Sequence, residues 1–231
     1  MFRFLTAGES HGKGLTVIVE GLPAGLLLSE AYIQRDLARR QVGYGRGGRM
    51  QIERDRAEIL SGVRHGLTMG SPISMWVENK DWASGTDPGG VPWTEVMSIE
   101  PTDVEFDRVT KLRPGHADTI GIAKYGQADA RNILERSSAR ESAARVAAGA
   151  VARRFLAEFG IEVHSHVVCL GGVHADPRQC IDWRLLEEPP YHRDLPTGSK
   201  QAAVRCVDPE AAQRMIEEID SAKEEGDSLG G

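Results

Sequence analysis

The strand and helix pattern of this chain permits an α+β fold, and three observations are compatible with it. Short apolar or alternating runs at Phe2–Thr6, Leu15–Glu20, Ala57–Leu60 and Ile73–Glu78 read as strands. Further along, Ala144, Ala147, Ala148, Val151, Phe155 and Phe159 recur at steps of three and four, the stripe of a helix lying on a core. Ser29 and the pair Asp208–Pro209 supply helix-start chemistry at two other places. A chain of 231 residues can hide roughly 70% of its unfolded surface, enough for one substantial core or two small ones.

Between the first two strands lies Gly8-Glu9-Ser10-His11-Gly12-Lys13-Gly14. Its G-x-S-x-G spacing matches the nucleophile elbow of serine hydrolases, but an elbow needs a helix after it. Here a strand-like run follows. A phosphate-binding P-loop fails as well, because Ala7 stands where its first glycine belongs and Gly14 replaces the metal-binding hydroxyl. What survives is a glycine-walled turn presenting His11, the side chain best suited to proton transfer near neutrality. An exposed turn histidine with no role is the plain alternative.

Behind Ser29, Ile33 and Leu37 face a core, and the polar side becomes basic. Arg35, Arg39, Arg40, Arg46, Arg49 and Arg54 fall close together, opposed by Asp36 and Glu53. Gly43, Gly45, Gly47 and Gly48 carry part of this charge into a loop. Arginines concentrated on a glycine loop suit a phosphorylated or carboxylated ligand. A net charge of −6 argues against general nucleic-acid binding, which needs a basic surface. A short RGG-like tract inside a folded pattern does not change that.

The stretch 80–101 reads as mostly loop, and Trp82 and Trp93 suggest that it packs as a lid. Lys111-Leu112-Arg113-Pro114-Gly115-His116-Ala117-Asp118 then sets a second histidine in a turn among cations and an acid. Ser138 and Glu141 have the spacing of a capping box at the start of the long helix. Arg136, Ser137 and Arg140 would crowd donors and positive charge onto that helix start, a seat for an anion. Gly160 stands where the C-terminal cap belongs. Ile161 to Val167 alternates like a strand, with His164 and His166 on one face but no third metal ligand evident. Residues 176–200 read as an irregular excursion, Ala202 to Val207 as a strand, and Pro209 opens a helix carrying Met215, Ile216 and Ile219.

Cys169, Cys180 and Cys206 form no C-x-x-C pair and fit a reducing compartment. The N-terminus lacks the apolar region of a signal peptide, and no apolar run reaches the ~18 residues of a membrane helix. The expectation is a soluble cytoplasmic protein with no membrane or nucleic-acid partner and no metal.

Taken in order, the long motifs closely resemble those of the chorismate synthase family. They are Gly8-Glu9-Ser10-His11-Gly12 continuing to Val19-Glu20-Gly21-Leu22-Pro23, then Gly45-Arg46-Gly47-Gly48-Arg49-Met50 and Leu60-Ser61-Gly62-Val63-Arg64-His65-Gly66. Asn79-Lys80-Asp81-Trp82, Arg113-Pro114-Gly115-His116-Ala117-Asp118 and Glu135-Arg136-Ser137-Ser138-Ala139-Arg140-Glu141-Ser142 follow. The resemblance implies a β-α-β sandwich with helices layered between antiparallel sheets, assembled as a homotetramer. It implies loss of phosphate from 5-enolpyruvylshikimate 3-phosphate by 1,4-elimination to give chorismate, with reduced FMN required and NADPH as a reductant in some members. His11 would be the acid at the departing phosphate, and His116 would protonate the reduced flavin. FMN would meet Arg136, Ser137 and Ser138, and Arg40 and Arg46 correspond to NADPH-associated positions. Ser10, Arg40, Arg46, Arg49, Arg113, Arg136 and Arg140 would bind the substrate. Family chains continue past Gly231 into a third signature, so residues 1–231 are expected to form a single domain incomplete at the C-terminus. A fragment that binds FMN or phosphate without catalysis is the alternative.

Overall fold

The structure is a computed structural model that describes residues 1–45, 55–179, 181–186 and 198–231. They fall into two compact units, one from Met1–Arg40 with Asp55–Ile161, the other from Gln41–Arg54 with Glu162–Gly231. Helices mix with antiparallel sheets, as an α+β fold requires.

In the first unit, β1 (Arg3–Gly8), β2 (Gly14–Glu20), β4 (Ala57–Ser61) and β7 (Ile73–Glu78) form a four-stranded sheet in the order β1-β2-β7-β4. All three pairings are antiparallel. Register follows side-chain alternation: Leu15, Val17 and Val19 stand opposite Val77, Met75 and Ile73, and all six are buried. A second sheet, β3 (Ala24–Leu27), β6 (Leu67–Met69) and β5 (Val63–Arg64), was not anticipated. Its strands are too short for a periodic signal. Helix α1 (Glu30–Gln41) buries Ile33 and Leu37 and starts at Ser29, whose hydroxyl accepts from Tyr32 N at 3.3 Å, as expected.

The stretch 80–101 is more ordered than its glycines and prolines suggest. It holds two short helices, α2 (Lys80–Ser84) and α3 (Trp93–Val96), with Trp93 buried. Helices α4 (Asp118–Tyr125) and α5 (Arg131–Ser137) follow, then a 3-10 turn (Ala139–Glu141) and α6 (Ser142–Ala157). The face of α6 that meets the sheet is built from Ala143, Ala144, Ala147, Ala148 and Val151, small residues that let the helix lie close on Val17 and Met75. Gly160 takes a left-handed φ of 68°. Its N–H bonds to Ala157 O and that of Ile161 to Leu156 O, a Schellman closure. Phe159, read as part of the stripe, lies beyond the helix and is exposed.

The capping box is not formed. Ser138 Oγ accepts from Arg140 N at 3.3 Å, and the Glu141 carboxylate is taken by Thr6 Oγ1 at 2.6 Å and Arg145 Nε at 2.6 Å. A distant hydroxyl and an i+4 arginine take that carboxylate in place of the local backbone. Arg136 and Ser137 therefore end helix α5 rather than crowd the start of α6.

The second unit corrects two strand expectations. Residues 161–167 are not a strand, and His164 and His166 turn toward the Trp183 ring, centroids 4.9 and 6.0 Å away. His164 Nε2 also lies 2.9 Å from Glu162, and no metal-holding cluster exists among the described residues. A small hairpin, β8 (Cys169–Leu170) with β9 (Val173–His174), follows. Residues 200–204 form helix α7 (Lys200–Val204), not a strand, because Ser199 caps it by accepting from Ala202 N at 3.3 Å. Helix α8 (Pro209–Glu225) starts as expected, with Asp208 accepting from Glu210 N and Ala211 N. Met215 and Ile216 of α8 join Ala203 and Cys206 in this unit's core.

Candidate functional site

The His11 turn is a strand-turn-strand, not the strand-turn-helix of a hydrolase elbow. At its base the paired strands come so close that a Cβ on Gly8 (φ 107°) would meet Gly14 O at 2.3 Å. Only glycine fits there. Asn79, at the end of β7 and 2% exposed, closes the turn from below. Its Nδ2 donates to Glu9 O and to Gly12 O, both at 2.8 Å, and its backbone N–H donates to Lys13 O at 3.1 Å.

Glu135 of α5 holds the same turn from the side. Its backbone oxygen accepts from Ser10 N at 3.0 Å, and its carboxylate accepts from His11 N at 2.8 Å. His11 Nδ1 lies 3.0 Å from both carboxylate oxygens. The imidazole face stacks on the Trp93 indole, centroids 3.9 Å apart and planes 18° from parallel. Arg131 stands over the same indole at 5.5 Å and pairs with buried Asp87 at 3.4 Å. Ser10 is buried beside His11.

Below the turn lies a buried charge cluster. Arg140 donates from Nε to Asn79 Oδ1 at 2.8 Å and from Nη2 to Glu78 O at 2.9 Å, and its Nη1 pairs with Asp55. Arg40 pairs with the other Asp55 oxygen at 3.0 Å, and donates to Ser142 Oγ and Ala139 O. Buried Arg140 and half-buried Arg40 thus share the one buried carboxylate of Asp55. Arg136 donates to Thr6 O at 2.9 Å and Thr6 Oγ1 at 2.7 Å, and it lies 3.5 Å from Glu141. Burial pushes the Glu141 carboxyl up, yet the Thr6 hydroxyl, Arg145 and Arg136 outweigh that and hold it below its ordinary value. Ser137 is exposed and Ser138 half-buried. Arg46 and Arg49 lie outside the described residues.

His116 belongs to a separate constellation. Its Nδ1 bonds the Asp118 carboxylate, and Arg113 Nη2 lies 3.2 Å from both ring nitrogens. Arg113 also reaches Asp118, through its backbone N at 2.9 Å and Nε at 3.3 Å. Burial raises the Asp118 carboxyl, but the Arg113 N–H and the His116 and Arg113 side chains more than reverse this.

Each turn histidine is thus bonded to a carboxylate, an arrangement that fixes a ring for proton transfer. The residues that do the fixing, Glu135, Trp93, Asn79 and Asp55, were given no role on sequence grounds. Glu135 was visible only as the first residue of a motif, and Asp55 lies just past the basic run whose Arg40 it pairs with. Trp93 sat in a stretch read as loop.

The sequence profile described as chorismate synthase matches residues 2–231. A chorismate synthase of Geobacillus thermodenitrificans is 53% identical over 232 residues, covering 99% of this chain and 55% of that protein. One of Symbiobacterium thermophilum is 53% identical over 235 residues, covering 99% and 56%. A solved chain described as the crystal structure of chorismate synthase aligns with a TM-score of 0.66 and 42% identity, over 100% of this chain and 55% of that one. The chain therefore spans about half the length of the relatives it matches.

Proposed function

Because the chain belongs to the chorismate synthase family, we propose that it carries the His11 and His116 part of a lyase acting on 5-enolpyruvylshikimate 3-phosphate. The reaction is the 1,4-elimination in which the C3–O bond to phosphate breaks and a proton leaves C6, giving chorismate and inorganic phosphate. The observation that most supports a proton-transfer site is His11, locked between Glu135 and Trp93 on a glycine turn. With Nδ1 bonded to Glu135, His11 holds its exchangeable proton at Nε2 and gives it to a phosphate oxygen as the leaving group departs.

Arg40 and Arg140, held in place on Asp55, act as preorganised cations for the phosphate and carboxylates. Arg136, Arg113 and Ser10, with Arg46 and Arg49, complete the proposed substrate contacts. Arg136, Ser137 and Ser138 suit an FMN site, because the flavin phosphate and ring carbonyls take donors. Ser137 is exposed there and the Arg136 side chain is 41% exposed. Reduced FMN, when bound, supplies electron density to the reacting centre without net redox change. His116, whose Nδ1 is held by Asp118, would be the group that protonates the reduced flavin. NADPH at Arg40 and Arg46 as the flavin reductant, a cytoplasmic location, a homotetramer and a single domain that includes both units belong to the same reading. No helix among the described residues is long and apolar enough to cross a membrane.

The test is anaerobic phosphate release from 5-enolpyruvylshikimate 3-phosphate with photoreduced FMN. Release that needs reduced flavin is expected, slowed ~10- to 10⁴-fold in His11→Ala and in His116→Ala. A second reading is FMN or phosphate binding without turnover. It predicts binding but no release until the chain is extended past Gly231. Silence of the extended chain as well would defeat the lyase reading.

A further inference from the structure

We propose that Glu135 is the positioning residue for His11, fixing which ring nitrogen exchanges protons, with Trp93 as the wall that stops the ring from turning. The proposal rests on the reading of His11 as proton donor. Glu135 is 5% exposed and binds both peptide and ring of its target. Ser10 N donates to its backbone oxygen, His11 N donates to Oε2, and His11 Nδ1 lies 3.0 Å from both carboxylate oxygens.

An ionised carboxylate only accepts, so the ring must present N–H at Nδ1. The neutral imidazole then carries its lone pair at Nε2, and that atom takes up and gives back the proton. Rotation of the ring by half a turn about its bond to the chain would exchange the two edges. Trp93, stacked 3.9 Å away over one face, and the His11 N–H bond that ties the backbone to the same carboxylate both oppose that rotation. Trp93 is itself held by Arg131 over its ring, with Arg131 paired to Asp87. The carboxylate does for His11 what a buried aspartate does in a catalytic triad, where it selects the tautomer without itself taking a proton.

The decisive experiment labels the histidines with ¹⁵N and records ring nitrogen-to-proton correlations at alkaline pH, where imidazoles are neutral. The His11 signals are those missing from His11→Gln. A ring protonated at Nδ1 is expected, and a ring protonated at Nε2 overturns the proposal. Glu135→Gln keeps the side-chain shape but offers an N–H as well as an oxygen, so a mixture of tautomers is expected; a ring still wholly Nδ1-protonated also overturns it. In phosphate release Glu135→Gln should lower kcat by ~10- to 10³-fold with KM within about twofold. Undiminished kcat counts against the role. The spectroscopic arm needs no turnover, so an Nδ1-protonated His11 in a chain that stays silent even when extended past Gly231 sinks the lyase reading and leaves the positioning role standing.

Discussion

Removing the side chain of Asn79 tests how the His11 turn is held. Three hydrogen bonds end on that amide: donations to Glu9 O and Gly12 O at 2.8 Å each, and acceptance from Arg140 Nε at 2.8 Å. A neutral bond contributes about 1 kcal/mol net, and one to a charged group about 1.5–3 kcal/mol. Asn79→Ala should therefore destabilise the first unit by about 3–5 kcal/mol, with water entering the gap tending toward the lower figure. Asn79→Asp keeps an acceptor for Arg140 but loses both donations and sets a carboxylate oxygen against the Glu9 and Gly12 carbonyls, so it should destabilise the turn as well. Trp76, Trp82 and Trp93 lie in the first unit and Trp183 in the second. Urea unfolding followed by tryptophan fluorescence in a Trp183→Phe background reads the first unit alone. A loss below about 1 kcal/mol in Asn79→Ala would refute the claim that this amide closes the turn.

Three other outcomes follow from the same structure. Asp55 is 3% exposed between Arg40 and Arg140, so Asp55→Ala strips buried Arg140 and half-buried Arg40 of the carboxylate they share; a loss of about 3–5 kcal/mol is expected in denaturant midpoints, and Asp55→Asn should recover only part of it. Asp118 and Glu141 are both held below their ordinary values of 3.8 and 4.5, so the stability each supplies is whole above those values and is lost as pH falls through and below them. Urea midpoints should drop between about pH 5 and pH 2, and Glu141→Gln should flatten that slope. In the second unit, Asp208 accepts from Glu210 N, Ala211 N and Asp176 N, so Asp208→Ala should cost about 2–3 kcal/mol, read as faster hydrogen exchange in the first turns of α8.

Legibility varied with how local each cause was. The N-terminal strands and α1 were readable because alternation and a serine cap are properties of a few adjacent residues, and the register of Val17 on Met75 obeys the same alternation. Strands β3, β5 and β6 escaped because two to four residues hold no period. Residues 202–204 carry strand-like composition, yet the helix is decided by Ser199 outside that window. The capping box failed for the opposite reason: its local signal was sound, but Thr6 and Arg145, distant or on the far side of the motif, bind the Glu141 carboxylate more firmly than the backbone can.

The candidate site divides along the same line. Histidines on glycine turns announce themselves, since few other residues suit proton transfer and few other turns admit such close strands. Their partners do not, because Glu135 is 124 residues from His11 and nothing between them signals the pairing. The arginines show the harder case. Read as a run of charge, Arg40 and Arg140 look like ligands for an anion. In the fold their guanidiniums share the buried carboxylate of Asp55, and Arg140 also steadies Asn79 under the His11 turn. A cation so tied loses the freedom to wrap a ligand, but it gains a fixed position relative to the histidine whose turn it supports. Preorganised charge of that kind favours a departing anion without reorganising at the moment of reaction. Substituting Arg140 would therefore disturb both the field and the placement of His11, whereas Asp55→Asn disturbs the field first, and the contrast between their kinetic effects separates charge from geometry.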